Sequence, residues 1–217
     1  MSIIRPFKGI RPRADLASAI AALPYDVYNS EEAREIVAAE PKSFLQIDRA
    51  ETLLPKGTNP YSEAVYKTAS ETLNRMIDEG SFLQDKEPCY YLYALTMNGR
   101  TQTGLVGCAS IDDYCNNVIL KHENTLEAKE QDRIRHIDAC SAQTGPIFLA
   151  YRADKKLGEI IKNVRLTPEV YDFTSDDGIR HEVWRIDKMS TIVDISKIFE
   201  AIPHLYIRSE ERRVGKE

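Results

Sequence analysis

Apolar side chains recur every three to four residues in several stretches of the chain, which predicts amphipathic helices there. The longest regular pattern covers residues 61–79 and stops at Gly80, a residue type suited to the left-handed turn that ends many helices. An earlier helix is predicted to begin after an N-cap at Asn29 or Ser30 and to end at Pro41. Two helices with defined ends are therefore expected in this part of the chain.

Strand-forming residues dominate a second kind of stretch. Residues 89–111 contain two such runs joined by Asn98 and Gly99, a dipeptide that adopts the positive φ angles of a type I′ turn, so a hairpin is predicted. Both faces of its first run carry large side chains, which places the hairpin inside a sheet. Residues 43–47, Ser-Phe-Leu-Gln-Ile, are predicted to form a short buried strand.

The second half of the chain alternates between the two element types. A strongly charged helix is predicted for residues 123–140, and strands and helices follow it in residues 144–152, 157–163, 170–174, 180–186, 187–202 and 204–207. No long linker or internal repeat divides the chain. We therefore predict a single α+β domain over residues 1–207, with a mixed, largely antiparallel sheet and helices packed on it.

The last ten residues, 208–217, switch abruptly from the apolar stretch before them to a charged tail. They resemble a direct translation of a common sequencing adapter, so we expect them to be a non-native tail. The alternative is a natural, disordered charged tail. On the first interpretation the domain is truncated before its C-terminal part.

Composition narrows the function classes. Acidic residues outnumber basic ones by 34 to 29, so the chain lacks the general basic field that non-specific nucleic-acid binding requires. No stretch approaches the roughly 18 apolar residues that span a bilayer, and the N-terminus lacks a signal-peptide core. We expect a cytoplasmic protein with no nucleic-acid or membrane partner. The four cysteines form no Cys-x-x-Cys pair, so free thiols and no metal site are expected.

Candidate chemistry concentrates on the charged helix. At 100° per residue, Leu126, Ile134 and Ile137 make a narrow apolar seam, and a stripe of cations lies beside it: Lys129, Arg133 and His136. Cations that share one helix face become favourable when they share a phosphate or carboxylate. The alternatives are a solvated face balanced by neighbouring acids, or a subunit interface.

Two further features flank this helix. His122 and Glu123 lie where it begins, and a histidine beside a carboxylate can act as a general acid and base. Gln143 and Thr144 follow it, where polar side chains satisfy carbonyl groups at a helix end or contact a ligand. Motifs for zinc proteases, P-loop NTPases, Rossmann enzymes and α/β-hydrolases are missing from the sequence.

Several blocks in a fixed order resemble the bacterial family known as domain of unknown function 1015: RPFKGIRP, PYDVYNSEEAREI, NPYSEAVY, QTGLVGCASIDDY, KHENT, KEQDRIRHIDACSAQTGPIFLAYR and YDFTSDDGIRHEVWRI. The resemblance runs from about Ile4 to Ile207. In that family the last strand leads into an Asp-Gly-His-His-Arg motif, similar to the ParB/sulfiredoxin-like superfamily and missing here. That superfamily includes free-serine kinases, and members of the family are often encoded beside phosphoserine-pathway genes.

The resemblance implies a nucleotide-dependent phosphotransferase that acts on a small amino acid, serine or phosphoserine, with ATP or another nucleotide and Mg²⁺. The truncated chain itself is then expected to be inactive. The alternative is a non-catalytic, regulatory module that binds a nucleotide or another small anion. His122 and Glu123 are the predicted catalytic residues, and the predicted substrate- and phosphate-binding residues are Lys121, Lys129, Arg133, Arg135, His136, Asp138, Gln143 and Thr144.

Overall fold

The structure is a computed structural model that describes residues 1–121 and 127–208. The α-helices within those residues are α1 (Ala17–Ile20), α2 (Ser30–Ala39), α3 (Leu45–Asp48), α4 (Glu63–Asp78), α5 (Ile111–Cys115), α6 (Glu127–Cys140), α7 (Lys155–Val164) and α8 (Met189–Ala201). The strands are β1 (Ile4–Arg5), β2 (Ile10–Pro12), β3 (Phe82–Gln84), β4 (Tyr90–Met97), β5 (Arg100–Val106), β6 (Cys108–Ala109), β7 (Ile119–Leu120), β8 (Phe148–Ala150), β9 (Tyr171–Thr174), β10 (Arg180–Ile186) and β11 (Leu205–Arg208). The predicted α+β class is confirmed.

The contacts within the chain divide it into two compact units. The described residues of unit 1 are 1–14, 84–121 and 148–208, and those of unit 2 are 15–83 and 127–147. Each unit is assembled from separated stretches, so no single cut in the chain separates them. The single domain expected from the sequence stays a prediction. None of the described helices is long and apolar enough to cross a membrane.

Unit 1 is built on β-sheets. Its largest sheet is antiparallel with the strand order β5-β4-β10-β9, and a second sheet has the order β7-β11-β8, in which β7 and β11 are parallel. Asn98 and Gly99 have φ angles of 49° and 75°, which confirms the predicted hairpin turn. Only the first strand of the hairpin lies inside the sheet, because β5 is an edge strand of the described sheet. Tyr90, Leu92 and Trp184 belong to the buried core beneath it.

Unit 2 is built on helices. Asn29 is the N-cap of α2, and its side chain accepts hydrogen bonds from the backbone N–H groups of Glu31 and Glu32. Gly80 follows α4 with a φ of +73°, as the sequence predicted. Apolar side chains from α1, α3, α4 and α6 form one core. That core includes Ile20, Ile47, Val65, Ala69, Leu73, Met76, Phe82 and Cys140.

The strand predicted for residues 43–47 is wrong. Leu45, Gln46 and Ile47 form the helical turn α3, and all three are buried. A short apolar run fits a buried helical turn as well as a buried strand, so the pattern alone could not distinguish them. The change matters for the site, because the same turn carries Asp48.

Arg208, predicted to begin the tail, is the last residue of β11 and pairs with Phe148 of β8. Residues 209–217, the rest of that tail, lie outside the described residues.

A buried carboxylate holds unit 1 together. Asp85 is 4% exposed and accepts hydrogen bonds from Arg11 (2.9 Å), Arg185 (2.9 Å) and the hydroxyl group of Tyr91. Burial opposes ionisation of this carboxyl group, but the hydrogen bonds from these three partners outweigh it and lower its pKa to about 2. In its charged form Asp85 therefore links β2, which carries Arg11, to β4 and β10.

We expect Asp85→Asn to lower the free energy of unfolding by about 3 kcal/mol, because it leaves two arginines facing a neutral amide. Chemical denaturation at pH 7 measures this. The matched control is Asp172→Asn, which breaks a 2.7 Å ion pair with Arg180 at the surface and is expected to cost less than about 1 kcal/mol. Equal losses in the two variants would contradict a structural role for the buried network.

Candidate functional site

The charged helix α6 packs into unit 2 through a polar face. Ile134, expected in an apolar seam, is 42% exposed, whereas His136 is 2% exposed. Two residues turn a helix by about 200°, so Ile134 lies on the opposite side from His136. The predicted seam at Ile134 is therefore wrong, and Leu126, its other end, lies outside the described residues. Packing against α4 and the core selected the side that carries His136 and Cys140.

A cluster of three titratable side chains forms where α6 meets α3. The Oδ1 atom of Asp48 lies 3.6 Å from Nε2 of His136, and Sγ of Cys140 lies 3.8 Å from the same nitrogen. The side chain of Asp48 is 16% exposed, so it is mostly buried but still reaches solvent. Its Oδ1 atom accepts no hydrogen bond from the described residues. A mostly buried carboxylate oxygen without a donor is unusual and marks this position.

The environment shifts the pKa of each member of the cluster. Burial raises the pKa of Asp48 to about 6, although the positive charge of Arg133 and a hydrogen bond from Thr144 oppose the rise. Burial and the charge of Arg133 lower the pKa of His136 to about 4. Burial and the nearby Asp48 raise the pKa of Cys140 to about 11. At pH 7 the histidine and the thiol are neutral, and Asp48 is a carboxylate that protonates near neutrality.

Arg133 supplies the positive charge beside Asp48. Its guanidinium group donates a 2.8 Å hydrogen bond to Asp132 and lies 4.3 Å from the centre of the Tyr25 ring. Its side chain is 24% exposed. Arg133 is therefore held on two sides and remains within reach of a small solute.

The loop that carries Tyr25 is held by a second arginine. Arg49 donates hydrogen bonds to the backbone oxygens of Tyr25 (2.8 Å) and Tyr28 (2.7 Å) and to the side chains of Ser30 and Glu51. Because Arg49 follows directly after α3, the same turn positions Asp48 and the ring against Arg133. Sequence patterns did not identify Arg49, since a single arginine in a loop carries no signal of its partners.

Arg135 takes part in a different set of contacts. It pairs with Glu63 at 2.5 Å, donates a 3.1 Å hydrogen bond to the backbone oxygen of Tyr61, and lies 4.5 Å from the centre of the Tyr66 ring. These contacts attach α6 to the start of α4. Arg135 is thus placed as a packing residue rather than beside Asp48.

The remaining predicted residues are dispersed. Lys129 and Asp138 are exposed on α6, and Gln143 is exposed and donates a 2.9 Å hydrogen bond to the backbone oxygen of Gly145. Lys121 belongs to unit 1. The structure therefore brings together Arg133, His136 and Thr144 of the predicted set. The predicted catalytic residues His122 and Glu123 lie outside the described residues.

The cluster does not have the geometry of a cysteine hydrolase. In such a triad the carboxylate and the thiol contact different nitrogens of the histidine ring. Here Asp48 and Cys140 both approach Nε2, and the raised pKa of the thiol leaves it protonated. Among residues 1–121 and 127–208, no group of three or more His, Cys, Asp or Glu side chains is arranged to hold a metal ion.

Another histidine, His181 of unit 1, lies beside a serine. Nε2 of His181 is 2.9 Å from Oγ of Ser175, and Nδ1 is 2.7 Å from the Tyr93 hydroxyl oxygen. Ser175 donates its own hydrogen atom to the carboxylate of Asp177 at 2.5 Å. The histidine therefore donates to the serine rather than accepting its proton, so this pair is not an activated nucleophile.

Asp48 is the residue that the sequence reading missed. It directly follows the segment expected to be a strand, lies far before the charged helix in the sequence, and has neighbours in sequence that give no sign of a polar cluster. The three-dimensional contact with α6 alone gives the carboxyl group its burial and its charged neighbour.

We expect Asp48→Asn to stabilise the protein at neutral pH. Between the ordinary pKa of 3.8 and the folded-state pKa of about 6, the folded protein retains a proton that the unfolded chain has lost, so ionisation costs stability as pH rises. The variant lacks that cost and should gain roughly 2 kcal/mol relative to the parent between pH 4 and pH 8. Chemical denaturation across this range measures the difference.

The His136 contribution has the opposite sign, because its pKa is lowered to about 4 and the unfolded chain binds the extra proton. This contribution is present in both the parent and Asp48→Asn, so it cancels when their stabilities are compared, as long as the folded imidazole stays neutral. Asp138→Asn, on the exposed side of α6, is the control for loss of a carboxylate. A difference between Asp48→Asn and the parent that does not vary with pH would argue against the raised pKa.

Comparison with known proteins identifies the chain. No curated protein and no solved structure shows significant similarity to it. Residues 4–207 match the family described as "Protein of unknown function (DUF1015)", which covers most of the chain. The protein that carries the cluster of Asp48, His136 and Cys140 therefore belongs to the DUF1015 family.

Proposed function

We propose that the intact parent of this chain is a cytoplasmic, nucleotide-dependent phosphotransferase that phosphorylates a small hydroxyl-bearing amino acid such as serine. The observation that supports the proposal is that Asp48, whose pKa is raised to about 6, lies close enough to the partly exposed Arg133 to feel its charge. A carboxylate with a pKa near neutrality accepts a proton effectively at physiological pH. The arginine binds the carboxylate or phosphate of a small substrate.

The proposed reaction uses these residues for proton transfer and positioning. The substrate hydroxyl oxygen attacks the terminal phosphorus of the nucleotide, the bond from that phosphorus to the leaving phosphate oxygen breaks, and the hydroxyl proton passes to Asp48. Arg133 holds the amino acid through its carboxylate. Phosphoryl transfer depends mainly on positioning and charge stabilisation, so few protein groups are needed. Mg²⁺ would accompany the nucleotide phosphates.

The charges of the side chains around Asp48 favour binding of an amino acid over binding of a free polyphosphate. Asp48 and Asp132 together carry more negative charge than Arg133 neutralises, and His136 contributes none at pH 7. A zwitterion presents an ammonium group to the carboxylates and a carboxylate to the arginine. The same cluster would repel a polyphosphate that approached it without a metal ion.

The test is turnover by this chain and by a longer parent that continues past Ile207. Each is incubated with serine and with ATP, ADP or pyrophosphate, and phosphoserine is detected by mass spectrometry. We expect product with one donor, a loss of about 100-fold in kcat for Asp48→Asn, and a rise of about tenfold in KM for Arg133→Gln. Asp172→Asn and Arg180→Gln, in the surface ion pair of unit 1, are the matched controls.

The other outcomes are equally informative. If Glu123→Gln abolishes turnover and Asp48→Asn does not, the proton acceptor is Glu123 and our assignment of Asp48 is wrong. If the longer parent binds a nucleotide but gives no product with any donor, the phosphotransferase proposal fails. The non-catalytic binding module would then describe the protein.

A further inference from the structure

A cleft of about 400 Å³ opens on the three-stranded sheet of unit 1. Leu120, Tyr206 and Ala150 lie side by side in register across β7, β11 and β8, and they form its floor. The small Ala150 leaves room beside the Tyr206 ring, which is 37% exposed. Cavities that bind small molecules typically have volumes of about 300–1,000 Å³. The cleft is therefore large enough for a small ligand with an apolar part.

The rim of the cleft is positively charged. Lys121, Arg152 and Arg208 line it together with Tyr151 and Ile207. All three cations are exposed, and none of them forms an ion pair with a carboxylate of the described residues. Lys121 lies 4.2 Å from the centre of the Tyr114 ring, which restrains the side chain without neutralising it.

This concentration of charge contrasts with the rest of the chain. The protein has a net charge of −5, and Arg11 and Arg185 of unit 1 are already paired with the carboxylate of Asp85. Like charges that converge on one cleft repel each other unless an anion joins them. The ring of Tyr151 is not available as a second platform, because it packs against Phe199 with ring centres 5.1 Å apart. The exposed aromatic surface in the cleft is that of Tyr206.

We propose that this cleft binds a nucleoside phosphate, with the base against Tyr206 and the phosphates beside Lys121 and Arg152. An aromatic floor stacks a base of any type, and cations at the rim attract phosphate oxygens. Arg208 also lines the cleft at the end of β11, but the assignment of the phosphates does not need it. The proposal concerns binding of a nucleoside phosphate by unit 1 alone and needs no turnover.

The test is equilibrium binding of fluorescent N-methylanthraniloyl-ADP to the 217-residue chain, with ADP, pyrophosphate and adenosine as competitors. We expect ADP to compete best, and Lys121→Ala and Arg152→Ala each to weaken ADP binding about tenfold. Tyr206→Leu is expected to weaken ADP about tenfold while pyrophosphate binding stays unchanged. Affinity should fall as salt is raised.

The control for charge is the double variant Arg100→Ala/Lys188→Ala, which removes two exposed cations elsewhere in unit 1. It should bind ADP like the parent, and melting temperatures of all variants show that the fold is retained. Three results would overturn the proposal: pyrophosphate that competes as well as ADP, a loss of binding in the control equal to that in Lys121→Ala, or binding abolished by Arg208→Ala alone.

The result also separates the two proposals. ADP binding that depends on Lys121 and Arg152, with no phosphoserine formed by the longer parent, supports the cleft and rejects the phosphotransferase. Phosphoserine formed by a parent whose nucleotide affinity does not change on Lys121→Ala or Arg152→Ala rejects the cleft and retains the enzyme.

Discussion

The hydrogen bonds to the buried carboxylate of Asp85 are the interaction on which unit 1 depends. Arg11, Tyr91 and Arg185 come from three stretches of the chain that are far apart in sequence, and all of them donate to this one side chain. A buried charge is tolerated when its partners are present and costs several kcal/mol when one is removed. The position of β2, which carries Arg11, relative to β4 and β10 is consequently set by charge pairing as well as by apolar packing.

Asp48 in unit 2 shows what the same side chain becomes without such partners. Burial raises its pKa to about 6, whereas hydrogen bonds lower that of Asp85 to about 2. The carboxylate of Asp85 is structural because every donor it needs is supplied. The carboxylate of Asp48 has one oxygen with no donor among the described residues, and its protonation state can change near neutral pH. That difference makes Asp48 the better candidate for chemistry.

Arginine side chains in unit 2 mainly link segments of the chain through hydrogen bonds to backbone carbonyl groups. Arg34 donates to the backbone oxygens of Glu51, Thr52 and Leu54, and Arg49 holds the loop before α2. These guanidinium groups satisfy carbonyl groups in irregular backbone that has no ladder or helix to satisfy them. The number of basic residues in the chain therefore overstates the positive charge that is free to meet a ligand. The cations at the unit 1 cleft are informative because no carboxylate of residues 1–121 and 127–208 pairs with them.

Local patterns by themselves determined most of the elements. The helix that ends before Gly80, the N-cap at Asn29, the turn at Asn98 and Gly99, and the strands of the second half all follow from side-chain periodicity and turn chemistry, which act over a few residues. The family followed from the same blocks of sequence. Arg133, His136 and Thr144, which the sequence analysis grouped as binding residues, lie near one another, and their role in binding stays a prediction.

Only the tertiary structure decided which side of α6 is buried and what its residues meet. The helical wheel placed Ile134 towards the core, but Asp132, His136 and Cys140 face it, because Tyr66 and Asp48 offered polar partners there. Residues 45–47 became a helical turn for a similar reason, as the core of unit 2 buries all three at once. Burial and pairing are properties of contacts between distant segments, and no pattern along a single segment contains them.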